Sequence, residues 1–133
     1  METRAIILAA GRGSRMGDAT ASKPKCLNTL AGKTLLEWQL KSLTEAGLNS
    51  ITVVGGYRRE LLQGDFEVVA NERWDKTNMV ASLFCAKPFN GNTIISYSDI
   101  TYHPEHVKKL NNSKADITIT ADKQWEGLWK LRF

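Results

Sequence analysis

Residues 6–27 read IILAAGRGSRMGDATASKPKCL, an apolar run from Ile6 that breaks into a glycine-rich, arginine-studded loop closing on Lys23-Pro24-Lys25. Such a run is a buried strand that delivers its C-terminal end to an anion. Gly11 and Gly13 let the backbone come close to a ligand and take positive φ. Arg12, Arg15, Lys23 and Lys25 put four cations on one short segment, a charge suited to a polyphosphate. Two familiar phosphate loops fail here. A Walker loop needs Gly-Lys-Ser/Thr after a glycine and four spacers. Met16 stands five residues after Gly11, and Leu27 occupies the first-glycine position for Gly32-Lys33-Thr34. A dinucleotide fingerprint needs a glycine where Met16 stands.

Outward from this loop the segments alternate in type. Residues 4–9 read as a strand, and Thr34-Leu35-Leu36-Glu37 as a capping box opening a helix with Leu36, Leu40 and Leu43 on one stripe. That helix stops at Gly47. Strands are expected at 50–54, 66–70, 93–97 and 116–121, the last from the alternation of Ile117 and Ile119. Helices are expected at 57–62, 78–87 and 104–110, the last with Pro104 at its first position. This order predicts an α/β protein with a mostly parallel sheet covered on both faces, a three-layer Rossmann-like arrangement in one domain, 1–133. Ligands bind such sheets at the carboxyl ends of the strands, where the winding reverses. If strands 4–9 and 93–97 are neighbours, Asp99 faces the glycine loop across that crevice. A carboxylate beside a triphosphate reads as a Mg²⁺ ligand.

The 133 residues suffice for one core, with 42% hydrophobic and 24% charged residues. The net charge of +4 lies largely in the loop, and no nucleic-acid motif accompanies it. Cys26 and Cys85 lack metal or disulfide spacing, which suits a reducing compartment. No secretory leader and no membrane-length apolar run is visible, so a cytoplasmic protein is expected. His103-Pro104-Glu105-His106 offers two imidazoles but no third ligand.

The ordered set Leu8, Ala10, Gly11, Gly13, Arg15 and Pro24-Lys25 resembles the signature of the nucleotidyltransferases that couple a nucleoside triphosphate to a phosphorylated small molecule, among them sugar-1-phosphate, molybdopterin and choline-phosphate enzymes. Asn71, Asn78 and Ser82-Leu83, with Ser98-Asp99-Ile100 further on, make the chain similar to bacterial choline-phosphate and 2-aminoethylphosphonate cytidylyltransferases. The resemblance implies cytidylyl transfer from CTP to phosphocholine or a related phosphorylated acceptor, with Mg²⁺ as cofactor and pyrophosphate as product. It gives nucleotide binding to Leu8, Ala10, Gly11, Gly13, Ser14, Arg15, Lys25, Asn71, Asn78 and Ser82. Arg15 and Lys25 become the catalytic cations, Asp99 the metal ligand, and Trp129 part of an aromatic wall for choline. Trp74, Tyr102 and Trp125 are further candidates for that wall, whereas Trp38 belongs to the packing of the first helix.

Two alternatives stay open: a sugar-1-phosphate nucleotidyltransferase and a non-catalytic nucleotide-binding or assembly module. Enzymes of this type continue well past residue 133 and bring a second metal carboxylate, for which Asp122 is the nearest substitute in this chain. The expectation is therefore an N-terminal portion of the domain, of doubtful turnover by itself. The alternating Trp129-Lys130-Leu131-Arg132-Phe133 reads as a strand with one buried face. Left uncovered, it predicts a homo-oligomer.

Overall fold

The computed structural model describes residues 2–12, 17, 21–121, 123–124, 126–127 and 130. In chain order it holds β1 (Arg4–Ala9), β2 (Thr29–Leu30), β3 (Lys33–Thr34), α1 (Leu35–Glu45), β4 (Ser50–Gly55), β5 (Glu67–Ala70), α2 (Met79–Phe84), β6 (Thr93–Tyr97) and α3 (Pro104–Asn112). Every residue of β1 from Ala5 to Ala9 is buried. A strand with no wet face sits inside a sheet that is covered on both sides. β1 accordingly pairs in parallel with β4 and with β6, in a four-stranded sheet of order β5-β4-β1-β6. The chain winds from β1 through β4 to β5, then crosses back to add β6 on the other side of β1. The winding thus reverses between β1 and β6.

Alternate residues of β1 feed two cores. Ala5, Ile7 and Ala9, with Ile51 and Val53, pack with Leu36 and Leu43 of α1 and Val107 of α3. Ile6 and Leu8, with Val54, pack with Ala86, Leu83 and Trp74 on the opposite face. The result is the three-layer α/β arrangement expected from the sequence.

Local signals explain where α1 begins and ends. Thr34 Oγ1 accepts from the Glu37 amide at 3.0 Å, and Glu37 Oε1 accepts from the Thr34 amide at 3.1 Å. The bond from the Thr34 amide, then the Thr34 hydroxyl, hold the exposed Glu37 carboxyl below its usual range. At the other end Gly47 takes φ +92°. The Leu48 amide donates to Leu43 O at 3.0 Å and the Gly47 amide to Thr44 O at 2.9 Å, a Schellman closure.

Four elements depart from expectation. Residues 116–121 form no strand, and Ile117 and Ile119 are 85% and 82% exposed. Alternation selects a face, but a strand also needs a partner ladder, and among the described residues nothing pairs with the outer edge of β6. The helix expected at 57–62 is a single 3₁₀ turn at Arg59–Leu61, entered through Arg58 in the left-handed region at φ 52°. The β2–β3 hairpin was not legible, because its turn uses Ala31 and Gly32 at φ 51° and 87° instead of Asn-Gly or Asp-Gly. Of the strand expected at 129–133 only Lys130 is described, and it is helical, with Nζ 3.5 Å from Glu126 Oε1.

Gly56, just past the end of β4, lies close against the backbone that leaves β1 and against Trp74. A Cβ there would lie 2.4 Å from Trp74 Cβ and 2.7 Å from the Ala10 carbonyl oxygen. Neither neighbour is the far end of a flexible side chain. Gly56→Ala is expected to destabilise the protein by ~1–3 kcal/mol, the scale of an overpacked site. Gly11→Ala, where an added Cβ meets nothing within 4 Å, should leave stability nearly unchanged. Urea unfolding of both variants checks the contrast.

Candidate functional site

The crevice between β1 and β6 is bounded by three chain segments. From β1 come Ala10, Gly11 and Arg12, and from β6 come Ser98 and Asp99. The third is the turn that brings Lys25 back. Pro24 is fully buried in extended conformation, Lys25 opens a 3₁₀ turn, and Cys26 follows at 1% exposure. Two buried neighbours therefore fix the backbone that carries Lys25. Its Nζ lies 2.9 Å from Asp99 Oδ2, with the side chains 31% and 40% exposed. A pair this exposed contributes ~0–1 kcal/mol to stability, too little to account for it as a structural element. Its half-open setting leaves both charges within reach of a ligand.

Gly11 meets its expectation only in part. Its φ is not positive, and what it contributes is room, since an added Cβ would touch no protein atom within 4 Å. The sequence reading missed how the glycine loop is held at its two ends. The Tyr57 amide donates to Ala10 O at 3.0 Å, and its hydroxyl donates to Ala21 O at 2.9 Å. Arg58 Nε donates to Ser22 O at 3.3 Å. The Arg12 guanidinium lies 5.4 Å from the centre of the Tyr57 ring, within cation–π range. Tyr57 in turn rests against Trp74, with ring centres 5.4 Å apart. A tyrosine directly after Gly55-Gly56 was the only available signal, and nothing local says that its partners are Ala10, Arg12 and Ala21, far upstream.

Asn71 and Ser82 come together, but inside the protein. Asn71 is 4% exposed, and its amide nitrogen donates to Ser82 Oγ at 2.9 Å and Thr77 Oγ1 at 3.1 Å. Its oxygen accepts from the Arg73 amide at 3.0 Å. These bonds organise the turn between β5 and α2. Asn78 caps α2, accepting from the Ala81 amide at 3.1 Å. Leu8 and Ala10 are buried in the second core.

The most consequential residue that the sequence did not single out is Gln39. It is fully buried on the inner stripe of α1, beside Leu36, Ser42 and Leu43. Its Nε2 donates to Tyr97 O and to Ile100 O, each at 2.7 Å. Its Oε1 accepts from Ser96 Oγ at 3.1 Å. Ser42 Oγ donates to Tyr102 O at 2.5 Å. Burial pushes the Tyr102 hydroxyl upward from its ordinary value, opposed by a hydrogen bond with Ser96.

Among the described residues no group of three or more His, Cys, Asp or Glu side chains is placed to hold a metal. Mg²⁺ typically takes one or two carboxylates and completes its shell with water and substrate phosphate. Asp99, half-exposed at the crevice, fits that shared mode. His103 caps α3, its Nδ1 accepting from the Glu105 amide at 3.2 Å, and His106 is exposed. Of the aromatic-wall candidates, Trp74 packs into the second core and Tyr102 against the first, so neither stands free as a cage wall. Trp38 donates from Nε1 to Leu30 O at 2.6 Å and so steadies the hairpin. Gly13, Ser14, Arg15, Asp122, Trp125 and Trp129 lie outside the described residues.

Comparison with known proteins follows the same line. A family profile described as "MobA-like NTP transferase domain" matches residues 5–127. A CTP:phosphoglutamine cytidylyltransferase of Campylobacter jejuni is 42% identical, across 97% of this chain and 56% of the relative. A 2-aminoethylphosphonate cytidylyltransferase of Lancefieldella rimae is 32% identical, across 86% of this chain and 50% of the relative. The solved CTP:phosphocholine cytidylyltransferase of Streptococcus pneumoniae superposes with a TM-score of 0.73 at 29% identity, over 79% of this chain and 50% of that one. The chain spans about half the length of these relatives. No helix among the described residues is long and apolar enough to cross a membrane.

Cys26, next to the site lysine, is a buried thiol whose pKa burial pushes from 9.0 to about 11. A thiol kept neutral in this way is a poor nucleophile. Cys26 is expected to resist iodoacetamide in the folded protein and to react on unfolding, read by peptide mass. With the folded pKa raised, its stability contribution is complete below pH 9 and is lost as pH rises toward about 11. Urea midpoints across that window should fall more steeply for the native chain than for Cys26→Ala.

Proposed function

Because this chain belongs to the family of MobA-like NTP transferase domains, we propose that it supplies the nucleotide-binding and phosphate-positioning half of a cytidylyltransferase site. The reaction is transfer of a cytidylyl group from CTP to a phosphorylated small acceptor. The observation that carries this reading is the Lys25–Asp99 pair, 2.9 Å apart where the winding of the sheet reverses. A cation and a carboxylate at that position match the two needs of a nucleotide's phosphates, charge neutralisation and a shared metal.

An acceptor phosphate oxygen attacks the α-phosphorus in line. The bond from that phosphorus to the bridging oxygen breaks, and its electron pair leaves with pyrophosphate. The attacking group is already an anion, so no general base is required, and positioning and electrostatics carry the catalysis. Lys25 offsets charge at the α-phosphate. The backbone from Gly11 onward, with Gly13 and Ser14, takes the β- and γ-phosphates, and Arg15 offsets charge on the leaving pyrophosphate. Asp99 would hold Mg²⁺, which supplies Lewis-acid polarisation of a phosphoryl oxygen. Asn71 and Ser82 act behind the site by shaping the turn into α2, and Asn78 stands at that helix's start.

The acceptors named for the relatives are phosphoglutamine, aminoethylphosphonate and phosphocholine, which share a phosphorus oxyanion on a small nitrogen-bearing molecule. We propose that class, with phosphocholine as one member and Trp129 as a candidate contact. The cytoplasm is the proposed compartment, in keeping with free thiols at Cys26 and Cys85. Self-association is proposed from the edge strand β6, whose Ile95 and Tyr97 are 49% and 51% exposed. Light scattering tests it, and a monomer at every concentration sinks it.

Lys25→Ala is expected to lower pyrophosphate release by ~10²–10³-fold, the scale of losing one preorganised charge-stabilising group. Calorimetry of CTP binding should show a gain from Mg²⁺ over EDTA that Asp99→Asn removes. A panel of four nucleoside triphosphates against the three acceptors and a hexose phosphate names the substrates. Failure of CTP to bind with or without Mg²⁺ overturns the proposal.

A further inference from the structure

Asp99 lies in the short connection that follows β6, where the backbone leaves the sheet and regular ladder bonds end. Something must hold that segment if its carboxylate is to meet a ligand in one place. The protein uses a buried side chain from a different element. Gln39 of α1 sends both amide hydrogens to carbonyls on either side of Asp99, Tyr97 O and Ile100 O, each at 2.7 Å. Ser96 Oγ donates to Gln39 Oε1 at 3.1 Å, which orients the amide so that its nitrogen faces the loop. Placing a primary amide in an apolar interior costs several kcal/mol unless it is hydrogen-bonded, and here both of its ends are bonded. A leucine at this position would continue the apolar stripe of Leu36 and Leu43 without that requirement. The polar choice therefore goes with what it grips.

We infer that Gln39 is a positioning residue for Asp99: from the far side of the sheet's end, its amide fixes the turn 97–100 and with it the carboxylate that faces Lys25 and the nucleotide's metal. This rests on the function proposed above for Asp99. It adds that the site's geometry is held from α1, through a side chain buried in the core. Displacing a group by ~1 Å in such a site costs up to ~10²-fold in rate, so a clamp on the turn matters more than its small net stabilisation.

The test uses Gln39→Met, which keeps side-chain length and volume and removes both donors, on the full chain. Three readouts are expected. First, without metal or nucleotide, ¹⁵N relaxation should show order parameters of the amides at 98–101 falling from ~0.85 toward ~0.6, with the rest of the sheet unchanged. Second, the Mg²⁺-dependent gain in CTP affinity should fall about tenfold, while affinity in EDTA stays within about twofold. Third, Gln39→Met should add nothing further in an Asp99→Asn background, since residues acting through one another are non-additive. A folded Gln39→Met with an ordered 98–101 segment and an undiminished Mg²⁺ gain overturns the inference while leaving the proposed function intact. Asp99→Asn that leaves the Mg²⁺ gain intact overturns the reading of Asp99 and this inference together. Should Gln39→Met fail to fold, Ser96→Ala removes the hydroxyl that bonds both Gln39 Oε1 and the Tyr97 carbonyl oxygen, leaving Gln39 Oε1 only the longer contact from the Tyr102 hydroxyl at 3.5 Å. It should then lower the Mg²⁺ gain about fivefold, the worth of one hydrogen bond, and no change overturns the inference.

Discussion

Everything at the candidate site depends on one pairing, the parallel ladder between β1 and β6. Leu8 stands opposite Tyr97 at its last register position. From there the two chains diverge, one into the glycine loop and the other into the turn that carries Asp99. A parallel ladder forces both strands to end at the same edge of the sheet. Because the chain arrives at β6 only after building β4 and β5 on the other side, no covering connection runs between these two strand ends, and a crevice is left where the winding reverses. The Lys25–Asp99 contact follows from this topology. It links residues 74 apart in sequence with an energy far too small to hold the fold itself.

The surroundings of that contact divide into rigid supports and an open face. Behind Lys25 stand Pro24 and Cys26, both buried. Behind Asp99 stands the amide of Gln39, and behind the glycine loop stand Tyr57 and Arg58. Lys25 and Asp99 stay half-exposed, whereas Pro24, Cys26 and Gln39 behind them are buried. This is the arrangement by which a protein can keep a charge responsive to a ligand without losing its position. Stability is supplied by the two apolar cores, which between them take alternate residues of β1.

Asn71 and Ser82 turn their side chains to one another inside the protein. Both of Asn71's donors are spent on Ser82 and Thr77, so its chemistry goes into the turn between β5 and α2. The family resemblance assigns both to the nucleotide. In the structure their hydrogen bonds go into backbone organisation. Trp74 shows the same shift. It reads as a possible cage wall, but it closes the second core against Gly56, where no side chain larger than hydrogen fits.

What the sequence determined by itself was whatever depends on neighbours a few residues away. The apolar run of β1 from Ala5, the Thr34–Glu37 capping box, the Gly47 stop and the proline start of α3 are each local, and each stands where the residues indicate. The α/β order followed from their succession. Tertiary structure alone decided the rest. Residues 116–121 alternate as a strand should, yet form none, because a ladder needs a partner that no local pattern supplies. Gln39 reads as one more helix-tolerant polar residue until the turn after β6 is laid against α1. Local propensity is written in residues that touch along the chain, whereas a site is written in residues that touch across it. Which of those meet is set by the order in which strands enter the sheet.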